Sequence, residues 1–207
     1  MLSPSNKTPS SLNALELDAL REAATIGAGH AATALSQLTR QTVRLRVPQV
    51  AITTPAELRN QLNLKGEPYV AVAMGLLGDV AGQTVQIYPH ASIGRLSALL
   101  LDVEDADSSA EVEDLNELQQ STLTEVSNII VGAYLDALSR FIPLLMFMST
   151  PTIWVRDLGP VLGHAGSDEL ICFHTDLELG HEHFSATFLL MPTSESINTM
   201  LRALYVA

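Results

Sequence analysis

The feature that most constrains this chain is that it is written twice. Glu22 and Glu125, Thr25 and Asn128, Gly29 and Gly132, and Pro48 and Pro151 each stand 103 positions apart, and the same step carries Pro89 to Pro192. In both copies a long helical pattern precedes a strand-like run, and Pro89 and Pro192 each close a strand-like run before a helix-like one. A chain of 207 residues organised this way is one unit laid end to end with its copy. Halves of this size share a sheet more readily than they fold apart, so the expectation is a single domain over residues 14–207, made of repeats at about 14–103 and 115–206. Two helices enclosing three strands in each copy predict an α+β fold of about six mainly antiparallel strands. The repeat implies pseudo-twofold symmetry, with the two long helices in equivalent, exposed positions.

The second long helix carries the most specific pattern. At 100° per residue, Ser121, Glu125, Asn128 and Gly132 fall in a narrow sector, while Leu123, Val126, Ile130, Ala133, Tyr134, Ala137 and Phe141 form a broad stripe roughly opposite. A carboxylate that only accepts hydrogen bonds and a carboxamide that both donates and accepts therefore share an outward face, and Gly132 removes a side chain from the same surface. Upstream, Asp18, Glu22, Thr25 and Gly29 make the matching face of the first helix.

The remaining elements follow from local signals. Residues 1–13, rich in Ser, Pro, Asn and Thr, read as a flexible tail. The first helix starts near Asn13 or Ala14 and ends before Thr42, where residues 42–47 alternate as a half-buried strand until Pro48 interrupts the ladder. Residues 58–68 read as a loop. Residues 69–74 and 83–88 read as a hairpin joined through Gly75, Gly78 and Asp79, and a helix over about 91–101 closes the first copy. Residues 102–114 hold seven acidic side chains and make the exposed joint between copies. The second copy repeats the order: the long helix to about Arg140, strands near 152–155, 170–175 and 183–191, a glycine-rich loop at 159–167, and a helix from about Ser194.

Composition excludes several classes. A net charge of -12 without a basic stripe argues against a nucleic-acid surface. Residues 1–13 lack the basic start and apolar core of a signal peptide, and the most apolar run, residues 141–155, is broken by Pro143, Ser149, Thr150 and Pro151, too short to span a bilayer. Cys172 is the only cysteine, which rules out an intrachain disulfide and fits a reducing cytoplasm.

Ser121, Glu125, Asn128 and Pro151 together match a D/S-x3-E-x2-N-x22-P pattern, and the chain resembles the CheC/CheX/FliY family of phosphatases acting on phosphorylated chemotaxis response regulators. The segments 26–35 and 125–135 both look like helices of that family. The resemblance is closest to its free-standing CheC type, since a fused switch protein would carry a further C-terminal domain. It implies a CheY-like regulator as substrate, with the aspartyl phosphate, a bound Mg²⁺ and a lysine supplied by that partner and no cofactor of the chain's own. It also implies Asn128 as the group holding the attacking water and Glu125 as the residue that pairs with the regulator's lysine. Ser121 would stand at the edge of the contact, and Pro151 would shape the neighbouring backbone. Thr25 in place of the pattern's Asn implies a first site weak or silent in chemistry, with Asp18 and Glu22 either docking a regulator or standing as solvated charges, and Pro48 in register. Some relatives bind the deamidase CheD, but no motif for that contact is visible. The rival reading is a non-catalytic module that holds the regulator, as an adaptor of the flagellar-switch type would.

Other candidates are poorer. His181 and His183 point the same way on a strand, and with His174 they lack a matching Cys or carboxylate cluster, so they read as surface histidines. Cys172, between Ile171 and Phe173, reads as core. Gly27-Ala28-Gly29 resembles part of a phosphate loop but lies within a helical pattern and lacks a Walker lysine.

Overall fold

The computed structural model describes residues 14–61, 68–101, 115–155, 159–163, 170–179 and 181–204. The expected tail at 1–13, the acidic joint at 102–114 and much of the two loops lie outside the described residues.

The repeat is exact at the helix starts. Helix α1 (Ala14–Thr39) and helix α4 (Glu117–Phe141) begin 103 residues apart. Strand β1 (Val43–Thr53) is followed by helix α2 (Pro55–Gln61), the hairpin β2 (Tyr69–Gly78) and β3 (Gly82–Pro89), and helix α3 (His90–Leu101). After α4 come β4 (Met146–Met148), β5 (Thr152–Val155), α5 (Gly159–Gly163), the hairpin β6 (Leu170–Leu179) and β7 (Glu182–Pro192), and α6 (Ser194–Leu204). The seven strands make one sheet in the order β1-β6-β7-β3-β2-β4, with β5 also on β2, and each of the pairings is antiparallel. Reversed and shifted by one copy, that order maps onto itself. At its centre the pair Val85–Leu189 becomes the pair Gln86–Phe188, so the pseudo-twofold axis passes between them.

Seven strands stand where about six are expected because the edge strand of the second copy is split. Both edges contain a proline, and both change register there. In β1 the partner sum slips between Arg46 and Gln49, around Pro48. In the second copy, Met148 pairs with Leu76 and Thr152 with Ala73, which leaves one extra residue in the stretch leading through Pro151. A proline offers no N–H to a ladder, so it is tolerated on an edge strand at a bulge. The bulge also flips the side-chain alternation. Val43 and Leu45 are buried before it and Val50 after it, so the apolar residues stay on one face.

That face carries α1 and α4. Val70, Val72, Met74 and Leu76 of β2 and Phe173, Phe188 and Leu190 from β6 and β7 meet Leu20, Ala24, Leu35, Leu123, Val126, Ile130 and Tyr134 in one core. The opposite face, with Ala71, Val85, Cys172, Leu189 and Met191, is covered by Leu58 of α2 and by Val161 and Leu162 of α5. Leu58 and Val161 are themselves 103 positions apart. Burial on both sides explains near-continuous apolar runs such as Leu189-Leu190-Met191, unlike the alternation at the edge. Two short helices thus cover 58–61 and 159–163, where the loops expected at 58–68 and 159–167 begin, while residues 62–67 and 164–169 lie outside the described residues.

The long helices are exposed on one side only, for they pack against each other as well as on the sheet. Gly27 faces Tyr134 at the crossing: a Cβ at position 27 would meet the Tyr134 Cα at 2.9 Å. Tyr134 in turn stacks on Phe188 with ring centroids 4.8 Å apart and leans on Phe173 at 6.0 Å. His30 and Arg140 both approach Asp136, at 3.7 and 2.9 Å, along the same seam.

Candidate functional site

Helix α4 is fixed at its start by reciprocal capping. Asn116 Oδ1 accepts from the Gln119 backbone N–H at 2.8 Å, and Gln119 Oε1 accepts from the Asn116 N–H at 3.0 Å. Such a box is worth about 1 kcal/mol and sets the first turn rigidly. Leu123, Val126, Ile130, Tyr134 and Ala137 are buried as the apolar stripe predicts, and Ala133 is half-buried. Each large side chain so buried contributes roughly 1.5–3 kcal/mol, which orients the opposite face outward.

On that outward face Ser121 and Glu125 are exposed, whereas Asn128 and Gly132 are half-buried. Asn128 therefore does not stand free in solvent as its place opposite the apolar stripe suggests. The stripe sinks toward its C-terminal end, where β4 comes close: a Cβ on Gly132 would lie 3.4 Å from Met148 Cε. Among the described residues neither the Glu125 carboxylate nor the Asn128 carboxamide takes a hydrogen bond or an ion pair. Glu125 and Asn128, three apart, present their side chains about 5–6 Å from one another.

The edge strand beneath this end is pinned by a residue the sequence reading passes over. Ser149 Oγ accepts from the Gly75 N–H at 2.9 Å, and the Ser149 N–H donates to the Gly75 carbonyl at 2.9 Å. Ser149 Oγ also donates to the Thr150 carbonyl at 3.0 Å. These bonds carry the backbone from β4 to β5 where the ladder lapses, and they set the approach to Pro151. Its sequence signal was a serine two residues before a strand-breaking proline, which local propensity does not distinguish from an ordinary turn. Met146–Met148 was likewise missed as a strand, since three residues are too few for a period to show.

The first copy has the same scaffold and different chemistry. Asp18, Glu22 and Thr25 are exposed on α1, and a Cβ on Gly29 would meet nothing within 4 Å. Asp18 is held by Arg21 at 2.7 Å. The Thr25 hydroxyl donates to the Arg21 carbonyl of its own helix at 2.8 Å, so its hydrogen is spent locally. The second helix thus keeps an uncommitted carboxamide where the first has a hydroxyl turned back on its backbone.

Elsewhere, burial pushes the hydroxyls of Tyr88 and Tyr134 and the Cys172 thiol up to about 12. A thiol so displaced is neutral at ordinary pH and suits the core position predicted for it. His181 and His183 are exposed, and His174 is half-buried beside Cys172, its Nε2 3.8 Å from the sulfur. Gly27 and Gly29 lie inside α1 and form no phosphate loop.

Fold and site together define a duplicated α+β protein in which two paired helices each present a polar stripe, only one of them bearing a carboxamide. The CheC-like family model matches residues 15–52 and again residues 118–154, which hold the two long helices and most of the edge strands that follow them. The chain is 27% identical to the CheY-P phosphatase CheC of Bacillus subtilis over 91% of its length and 93% of that protein. The crystal structure of FliY from Thermotoga maritima superposes with a TM-score of 0.76 at 17% identity, covering 95% of this chain and 98% of that one. A chain of the CheX-CheY-BeF3-Mg complex of Borrelia burgdorferi matches with a TM-score of 0.50 at 18% identity, covering 81% of this chain and 96% of that one.

Proposed function

We propose that this chain is a cytoplasmic phosphatase that hydrolyses the aspartyl phosphate of a CheY-like response regulator, with Asn128 orienting the attacking water and Glu125 docking the partner. The observation that carries this reading is the Asn128 carboxamide: half-buried, without a partner among the described residues, and on the same stripe as an unpaired carboxylate. The name of the Bacillus relative and the regulator bound to CheX in the Borrelia complex point to the same substrate class.

Phosphoryl transfer needs alignment and charge neutralisation more than a covalent catalyst. The Asn128 side-chain oxygen accepts a hydrogen bond from water and aims its lone pair at phosphorus, while its NH₂ donates to a neighbouring acceptor and holds the amide plane. The water oxygen bonds to phosphorus as the P–O bond to the regulator's aspartate breaks; the aspartate leaves as carboxylate, and the water's protons pass to phosphate and solvent. Mg²⁺ is supplied by the regulator, where it neutralises the phosphoryl oxygens. Glu125, exposed one turn earlier, pairs with a cationic side chain of the regulator and sets the register of docking. Gly132 leaves room for close approach beside Asn128, and Pro151 shapes the edge next to it. The first site, with Asp18, Glu22 and Thr25 in register around Pro48, lacks the planar donor–acceptor pair and contributes little turnover.

The test is to mix purified protein with a phosphorylated regulator and Mg²⁺ and to follow phosphate release. Accelerated release supports the phosphatase; binding without acceleration favours a module that only holds the regulator.

A further inference from the structure

Leu118 stands on the same stripe as Ser121, Glu125, Asn128 and Gly132, at spacings of three, four, three and four residues, within a sector of about 80°. It is a large apolar side chain left 52% exposed. Isolated exposed leucines are common on protein surfaces and by themselves mean little. Here the repeat supplies a second observation. Leu15, 103 residues earlier, opens the stripe of Asp18, Glu22, Thr25 and Gly29 and is 78% exposed. Packing does not account for a leucine left in solvent at one position of both copies, whereas the neighbouring stripe positions 18 and 121, and 25 and 128, have diverged.

We propose that Leu118 is an apolar anchor of the docking surface, inserting into a hydrophobic depression on the regulator while Glu125 and Asn128 engage the phosphorylated site. The inference rests on the reading of Asn128 and Glu125 given above. Its geometry follows from helix dimensions. Leu118 lies ten residues from Asn128, roughly 15 Å along the axis. A standard interface buries about 800 Å² on each partner, a disc of roughly 16 Å radius, so a regulator placed over Glu125 and Asn128 also covers Leu118. The residue is preorganised for this. It sits in the first turn of α4, inside the Asn116–Gln119 capping box, and its carbonyl accepts from Thr122 Oγ1 at 2.8 Å. An anchor on a rigid turn loses little further freedom on binding.

The experiment measures phosphate release against the concentration of phosphorylated regulator, with melting temperatures, for the wild type, Leu118→Ala, Leu118→Met and Leu145→Ala. Leu145 is a comparable exposed leucine, 66% accessible, just before β4 and outside helix α4. Leu118→Ala is expected to raise KM roughly fivefold with kcat within about twofold and an unchanged melting temperature. Leu118→Met restores the wild-type KM, and Leu145→Ala leaves it in place. An unchanged KM in Leu118→Ala, or an equal rise in Leu145→Ala, overturns the proposal. So does a wild-type dimer that Leu118→Ala dissociates without moving KM, since the leucine would then serve a second copy of the chain. Should the wild type release no phosphate, the catalytic reading fails alone, and titration of labelled regulator decides the anchor: weaker binding by Leu118→Ala sustains it, equal binding overturns it.

Discussion

Gly27 lies against Tyr134 so closely that a methyl group at position 27 would sit 2.9 Å from both the Tyr134 Cα and Cδ1. The close approach brings the two long helices together and leaves Tyr134 free to stack on Phe188. Gly27→Ala is therefore expected to destabilise the protein by up to about 2 kcal/mol, an overpacking cost of about 1–3 kcal/mol offset by a gain in helix propensity of about 1 kcal/mol. Gly29→Ala, two residues on, meets open space and is expected to stabilise by roughly 0.5–1 kcal/mol. Urea unfolding of the two variants beside the wild type checks the opposite signs.

The repeat, the order of elements and the outward face of α4 were legible in the sequence because each rests on a period: a 103-residue step, alternation in strands, and the helical spacing of Leu123, Val126, Ile130 and Tyr134. The half-burial of Asn128 and Gly132 was not legible; beside Gly132 stands Met148 of β4, distant along the chain and brought close only in the fold. Helices α2 and α5, of seven and five residues, were missed for a related reason. Too short for periodicity, they are held by Leu58, Val161 and Leu162 against the second face of the sheet. The pairing of α1 with α4 left only small residues as a trace, Gly27 and Ala31 among them, and a glycine in a helix does not say what it faces.

Alkaline pH tests the second tertiary feature, the buried phenols and thiol. Tyr88, whose hydroxyl donates to Gln86 Oε1 at 2.6 Å, and Tyr134 are pushed from 10.0 to about 12, and Cys172 from 9.0 to about 12. Groups raised in the folded state ionise first in the unfolded chain, so their contribution to stability is intact below pH 9 and is lost as the pH rises toward 12. Denaturant midpoints measured from pH 8 upward are expected to fall across that window, and Tyr88→Phe is expected to flatten the fall.

Ser149 and its two bonds to Gly75 hold the edge at the site. Ser149→Ala leaves the Gly75 N–H without its side-chain acceptor and is expected to cost about 1–2 kcal/mol of stability. Its effect on phosphate release should exceed that of a remote variant of equal stability, because the edge carrying Met148 loosens beside Gly132, one turn from Asn128 on the same stripe. Equal effects would limit Ser149 to a structural role.

Glu125→Gln keeps the shape of the side chain and removes its charge. The expected outcome is weaker regulator binding, a KM raised roughly fivefold to thirtyfold, with a smaller change in kcat. A pure kcat defect at unchanged affinity would place Glu125 in the chemical step instead.

The asymmetry between the copies gives a rescue test. Thr25→Ala removes a hydroxyl already bonded to Arg21 and is expected to leave most activity in place. Thr25→Asn in an Asn128→Ala background puts the carboxamide on the first stripe, where Glu22, Gly29 and Pro48 stand in register, and is expected to restore part of the lost activity. Loss of all activity in Thr25→Ala would assign the reaction to the first helix.

The central claim is that one carboxamide carries the hydrolysis, and the most direct measurement is the rate of phosphate release from a phosphorylated regulator with Mg²⁺ by the wild type and by Asn128→Ala, with circular dichroism and melting recorded on both. The account predicts that Asn128→Ala lowers the rate about a hundredfold or more, toward the regulator's own turnover, while the fold and melting temperature are kept. Wild-type rates in a folded Asn128→Ala protein would contradict it.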